Sequence, residues 1–256
     1  MDRTYNRAVI WSFVFALLLS AVVTQVAVFC TTIYLHRCAT HKAIELHPAL
    51  AFLFKFALWV TTGLHTKEWV AVHRKHHAFT DQEGDPHSPL LEGFWSVQLG
   101  NVFHYIRTAH DADVVERYAR DIEDGWWDRY VFRFGAMGLL IGTTLLCLVL
   151  GLWWGLLAAV VHAVMYVFVL SSSINGLCHY VGYRNFDNTA TNVRLIALLT
   201  GGEGLHNNHH GYPRSPKFSW SGSGKAEIDP AWPIIKLLIS LKLARPYKTI
   251  EGTAGI

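Results

Sequence analysis

From Val9 to Tyr34 the chain runs through 26 residues without a formal charge, and from Phe134 to Cys178 through 45 without Asp, Glu, Lys or Arg. A helix rising 1.5 Å per residue needs about 20 such residues to cross a hydrocarbon layer of about 30 Å. The first run predicts a spanning helix over 9–34. It exceeds the 7–15 residue core of a signal peptide, and no small-residue cleavage pattern separates it from "YLHRCATH", so it reads as uncleaved. The second run accommodates two spans, 134–151 and 153–175, joined at "GLWWG", where glycines permit a turn and tryptophans suit an interface. Pro48 to His65, "PALAFLFKFALWVTTGLH", is apolar but short and carries Lys55, which by itself fits either a fourth span or a helix buried against the others. The polar stretches 35–47, 66–133 and 176–256 lie between and after these segments.

Histidine patterning bears on that choice. "HRCATH" at 36–41 precedes the 48–65 segment and "HRKHH" at 73–77 follows it. If the segment crossed, the two would stand about 30 Å apart on opposite faces and share no metal. A re-entrant or interfacial segment keeps them together, and the paired spans return the chain to the same side for His179 and "HNNHH" at 206–210. Basic residues agree, with eleven Lys/Arg in 35–133 and nine after 178 against Arg3 and Arg7 in front of the first span. Such an excess near span ends marks the cytoplasmic side. The expected fold is therefore an all-α integral membrane helical bundle in one domain over 1–256. It has three spans, a re-entrant or interfacial apolar helix (four spans being the alternative) and a cytoplasmic histidine-rich di-metal cap. The N-terminus lies outside.

Composition supports a lipid-facing surface: 52% of residues are hydrophobic and 16% charged, against about 25% charged in soluble domains. A net charge of +3, without Lys/Arg clusters interleaved with aromatics, points away from a nucleic-acid partner and fits anionic headgroups or an acidic protein. Cys30, Cys38, Cys147 and Cys178 show no metal or disulfide spacing and read as small apolar residues.

His73, His76 and His77 stand at i, i+3 and i+4, as do His206, His209 and His210, so each set projects to one side of a helix. His36 and His41, at i and i+5, converge only where a helix ends or bends, and Asn175 and His179 share a face at the end of the last span. Nine of the fifteen histidines fall in these four places. Neutral imidazole suits iron or zinc, and the lack of clustered thiols argues against a sulfur-rich structural zinc site. Nine ligands exceed what one ion needs and suit two. Elsewhere, His162 is expected to make a hydrogen bond within the bundle and His47 to cap or border a helix, while His65 and His87 are candidates to support the ligands from behind, against the commoner reading of unrelated polar residues.

With "HRCATH", "HRKHH" and "HNNHH", and with the neighbouring "DPHSP", "NGLCHYVGYRNFD" and "GGEGLHNNHHGYP", residues 30–215 resemble the membrane fatty acid desaturase family, especially its acyl-CoA Δ9 (stearoyl-CoA type) branch. The resemblance implies two iron ions, one held by His36, His41, His73, His77 and His210. The other takes His76, His179, His206 and His209, with Asn175 reaching it through water. It differs in two respects. Only 35 residues precede His36, where the branch has another span, so a trimmed bundle or a covering partner is expected. "TIYLHR" also lacks the usual glycine before the first box.

No side-chain base can remove a proton from an unactivated methylene, whereas O2 activated at reduced iron can take hydrogen. The implied reaction removes one hydrogen from each of two adjacent methylenes and releases a cis alkene with two waters. A long tunnel lined by aromatics such as Trp59 and Trp69 would position the chain. Glu68, Asp81, Glu83, Asp85, Asp187 and Glu203 are candidates to orient imidazoles, with plain solvation the expectation for Asp81 and Glu83. The chain has no flavin, nucleotide or thiolate-cluster motif, and "HPAL" lacks the HPGG of fused cytochrome b5 domains. Electrons would come from a separate ferredoxin or cytochrome b5 with its reductase, docking on the basic face. The acyl group would arrive as acyl-CoA, acyl carrier protein thioester or lipid, with Arg184 a candidate phosphate contact. The expected location is a bacterial plasma membrane. Hydroxylation by the same metal pair, or non-enzymatic metal binding or transport, are the alternatives.

Overall fold

In the computed structural model, which describes residues 3–247, the first charge-free run is helical from Arg3 to Cys30 (α1) and does not stop there. Thr31–Thr40 continues it with π-helical winding, so one apolar rod runs from Asn6 to Thr40 and carries the first histidine box on its end. The helix expected over 9–34 thus runs on past Tyr34, to Thr40. A three-residue strand, Ile44–Leu46 (β1), follows and pairs antiparallel with Ala244–Pro246 (β2), Ile44 opposite Pro246. This small sheet corrects the all-α expectation. The turn after the first box brings three extended residues beside the C-terminal segment, and each strand supplies the backbone partners the other lacks.

Pro48–Thr62 (α2) starts on His47, whose Nδ1 accepts from the Ala49 amide at 3.3 Å, and ends at Gly63 in a left-handed conformation (φ +67°) that a side chain would strain. Thr66–Phe79 (α3) then leaves at 86° to α2. The apolar 48–65 segment is therefore broken at its end, the geometry of a re-entrant or interrupted span.

Gly135–Leu150 (α6) and Leu152–Ala163 (α7) form a hairpin about Gly151. The glycines of α6 let α2 approach closely: a Cβ at Gly138 would sit 2.2 Å from the Trp59 carbonyl oxygen, and one at Gly142 2.0 Å from that of Val60. Lys55, which interrupts the apolar pattern of α2, is neutralised by both carboxylate oxygens of Asp128 at 2.9 Å. α7 continues through a π-helical stretch, Val164–Ser171, and a last turn, Ser172–Asn175 (α8), to His179.

By length and apolarity two helices among the described residues suffice to cross a membrane, Asn6–Thr40 and Leu152–His179, with a third if α2 and α3 count as one bent span. α6, expected to cross over 134–151, has 16 residues and a rise of about 24 Å, shorter than a hydrocarbon core of about 30 Å. His162 ties the rods together as expected, Nδ1 at 3.0 Å from the Thr24 hydroxyl and Nε2 at 2.7 Å from the Thr61 carbonyl.

The polar part is built from Phe94–Ala109 (α4), Ala112–Ala119 (α5), Arg194–Leu199 (α9), His206–Gly211 (α10) and Ala231–Ser240 (α11). Ile33, Leu35, Ile44, Leu58 and Ile235 form its core against the end of the first rod. Buried beside them, the Arg37 guanidinium donates to both oxygens of Asp229 at 2.9 and 3.0 Å and lies 3.8 Å over the Phe218 ring. The last stretch of the expected polar segment, 248–256, lies outside the described residues.

Candidate metal centre

The first box converges because of its π-helical winding. The His41 amide donates to the His36 carbonyl at 3.1 Å, an i to i+5 bond, and the two rings come within 4.9 Å. On an ideal α-helix they would diverge. α3 brings His73, His76 and His77 to the same place, the short turn after α8 brings His179, and α10 brings His206, His209 and His210.

The nine histidines sort into two sets, within each of which one nitrogen per ring lies within 4.8 Å of all the others: His36, His41, His73, His77 and His209, and His76, His179, His206 and His210. In the first, the Nε2 of His209 is 3.0 Å from that of His36 and 2.9 Å from that of His77, and those of His41 and His73 are 3.1 Å apart. In the second, the Nε2 of His210 is 3.2 Å from that of His206 and 3.4 Å from that of His76. The membership matches the sequence pattern, but His209 and His210 exchange places relative to the division that the family resemblance implied. Adjacent residues point about 100° apart on a helix, so one serves each set, and the roll of α10 decides which.

Carboxylates hold the outer nitrogens. Glu203 stands 2.6 Å from Nδ1 of His36, Asp85 3.0 Å from Nδ1 of His76 and Asp81 2.9 Å from Nδ1 of His179. Each carboxylate accepts from Nδ1–H, which leaves Nε2 as a lone pair facing inward. Thr32 donates to Glu203, and Ser88 donates to Asp81 at 2.6 Å. Asp81, expected to be solvated, is thus part of the cluster, because the turn after α3 folds back over His179. Glu83 and Asp187 are exposed, and Glu68 faces His65 at 3.9 Å instead of a ligand.

Burial, followed by the neighbouring rings, holds His41, His73, His77, His206, His209 and His210 well below the ordinary imidazole range, so these rings are neutral at pH 7. Burial raises the Asp81 and Asp85 carboxyls, but hydrogen bonds from His179 and His76 outweigh it and both stay ionised. Inward lone pairs about 3 Å apart repel unless a proton or a cation stands between them. The Nε2 of His209 faces two other Nε2 atoms and has one proton at most to offer. The Nε2 of His179, buried in the second set, has no hydrogen-bond partner. Nine imidazoles, six of them neutral and the other three braced by carboxylates, are the donor set that a pair of metal ions takes, so the residues fit a di-metal site.

Beside the sets lies a cavity of about 460 Å³, lined at one part by His36, His73 and His87 and elsewhere by Val28, Leu64, Val167, Leu170 and Ile174. Trp69 lines it and stacks on His73 at 4.9 Å. Trp59 does not line it; its indole N–H donates to the Phe134 carbonyl at 3.0 Å. Asn175 lies on the cavity wall and donates to Oδ1 of Asn101 at 3.0 Å. His87 stacks on His76 at 4.7 Å with neither nitrogen hydrogen-bonded, and burial pushes it down to about 3. His65 lies 3.7 Å from Asp124, away from both sets. Arg184 donates to the carbonyls of Thr189 and Ala190.

Glu227 escaped sequence reasoning. It accepts from the Asn208 amide at 2.7 Å and from Asn185 at 2.7 Å, which fixes α10 from outside. The asparagines inside "HNNHH" were the one available signal, since buried amides demand partners.

The fatty acid desaturase family model matches residues 8–231. Over 233 residues the chain is 35% identical to the acyl-CoA C20 Delta5-desaturase of Anemone leveillei, covering 86% of this chain and 70% of that one. It is 32% identical over 232 residues to the sn-1 stearoyl-lipid 9-desaturase of Synechocystis sp. (87% and 68% covered). With the sn-2 palmitoyl-lipid 9-desaturase of Nostoc sp. it shares 34% over 221 residues (82% and 73%).

Proposed function

The chain belongs to the fatty acid desaturase family, and from that premise we propose that it introduces a cis double bond at the Δ9 position of a long-chain fatty acyl thioester, an acyl-CoA, using O2 and two iron ions per chain. One observation carries the reading: two largely buried, carboxylate-braced histidine sets lie side by side, and His36 and His73 of the first line a largely apolar cavity. One iron takes His36, His41, His73, His77 and His209. The other takes His76, His179, His206 and His210, with Asn175, one helical turn before His179, completing the set.

When bound, the irons supply reduced metal at which O2 becomes able to take hydrogen from an unactivated methylene. The protein does the rest. Glu203, Asp81 and Asp85 keep Nδ1 protonated and Nε2 free, which fixes each ring in the orientation a metal needs. Val28, Leu64, Leu170 and Ile174 exclude water and hold the chain, and His36 and His73 mark the stretch of cavity where a methylene pair must stop. The methylenes of a chain are chemically alike, so the double-bond position is set by how far the chain advances past these histidines.

The histidine side faces the cytoplasm of a bacterial plasma membrane, which the eleven cations of 35–133 and the nine after 178 favour. A separate ferredoxin or a cytochrome b5 with its reductase docks there and delivers electrons.

Expression in a strain that makes no unsaturated acyl chains, followed by mass spectrometry of its lipids, tests the proposal. A new alkene nine carbons from the carboxyl is expected. Hydroxylated chains, or no product from protein carrying two irons, would overturn it. His76→Ala should insert in the membrane and yield no alkene.

A further inference from the structure

Helix α4 presents an apolar stripe on its outward side, unlike a helix in water. Its outward residues Trp95, Leu99, Phe103 and Ile106 follow one another at intervals of four, four and three and are 69%, 56%, 71% and 43% exposed. Its inward side carries polar groups among apolar ones: Gln98 donates to Ser173 at 3.4 Å, Asn101 accepts from Asn175 at 3.0 Å, and Thr108 is buried, as are Val97 and Ala109. A water-facing helix keeps its outward side polar, and an apolar stripe of this size marks a surface that something covers.

We propose that α4 lies in the membrane surface, with the Trp95–Leu99–Phe103–Ile106 stripe immersed in the acyl layer of a phospholipid bilayer. The segment 66–133 is then not simply an aqueous cap. Continuity selects lipid as the occupant. α4 packs on Val164–Ser171 and on α8, the inner end of the Leu152–His179 rod, and Phe168 and Val169 of that rod are themselves exposed. The stripe therefore prolongs the apolar surface of a helix long enough to cross a membrane. With 16 residues and a rise of about 24 Å, and with Arg107 and His110 at its end, α4 suits lying in the interface better than crossing it. Ile106 also lines the cavity, so the same helix stands between the cavity and its surroundings.

The full chain in phosphatidylcholine–phosphatidylglycerol vesicles tests this, with Cys38 and Cys147 replaced by Ser and a nitroxide at Leu99→Cys or Phe103→Cys. Asp113→Cys on the exposed side of α5 serves as the aqueous reference. Collisions with O2 should dominate over those with chromium oxalate at Leu99→Cys and Phe103→Cys, and the order should reverse at Asp113→Cys. Chromium oxalate dominating at all of them overturns the proposal in favour of a water-exposed stripe. Spin–spin broadening at Leu99→Cys that disappears on dilution with unlabelled chain overturns it in favour of a second copy. Bromine on the acyl chains should quench a bimane fluorophore at the same cysteines, and an unquenched signal counts against lipid. None of these readouts depends on turnover, so they stand apart from the desaturase reading.

Discussion

The Nε2 atoms of His36 and His209 face each other at 3.0 Å across 173 residues of chain, while Glu203 holds the far side of the His36 ring at 2.6 Å. Ring and lone pair of His36 are thus fixed from behind, and the two nitrogens can approach in this way with a proton or a shared cation between them.

Glu203→Gln keeps the shape but replaces the ionised acceptor with an amide, so His36 loses its charged support. Metal affinity should fall about 10–100-fold, as for other partners of ligating imidazoles. Metal per chain against a competing chelator measures it, and an unchanged affinity would show that the carboxylate is only a spacer.

Asp81 and Glu83 lie two residues apart, one against His179 and the other exposed. Asp81→Asn is expected to lower alkene yield and metal content together, by about 10-fold or more. Glu83→Gln should match the unaltered chain. Equal effects would contradict the separate positions of the two side chains.

Acid should release the metal and destabilise the chain. His41, His73, His77, His206, His209 and His210 are depressed in the folded state, so the unfolded chain binds more protons below about pH 6.5. Their contribution is present above that value and is lost as pH falls through the folded values. For His87 the loss extends down to about 3. Metal content and the thermal midpoint in detergent, followed from about pH 8 to about pH 5, should hold steady and then fall. Greater stability at the acid end would refute the assignment of neutral rings.

Arg37 and Asp229 form a buried ion pair, their side chains 0% and 1% exposed. Asp229→Ala leaves a guanidinium uncompensated and should cost about 3–5 kcal/mol, whereas replacing both partners with apolar residues should cost less. Thermal unfolding of the single and double variants in detergent distinguishes a pair that stabilises from one that only satisfies itself.

Local pattern was enough for much of this protein. The charge-free runs marked the two long rods, since apolar length is a property of the segment itself. Helical spacing of i, i+3 and i+4 in "HRKHH" and "HNNHH" marked six of the nine histidines that the structure does bring together, the others being His36, His41 and His179. His47 and His162 also behave as their neighbours implied.

What the sequence left open depends on how separate elements are rolled and packed. The exchange of His209 and His210 follows from the rotation of α10, which Asn207, Asn208 and the distant Glu227 lock in place. Asp81 looked like a loop carboxylate until the turn after α3 closed over His179, 98 residues away. The π-helical winding that unites His36 and His41, the 86° break after α2 and the outward apolar stripe of α4 belong to the same class. Spacing fixes which side chains share a face, because the helix geometry is local. Only packing fixes what that face meets, because the partner comes from elsewhere in the chain or from the medium around it.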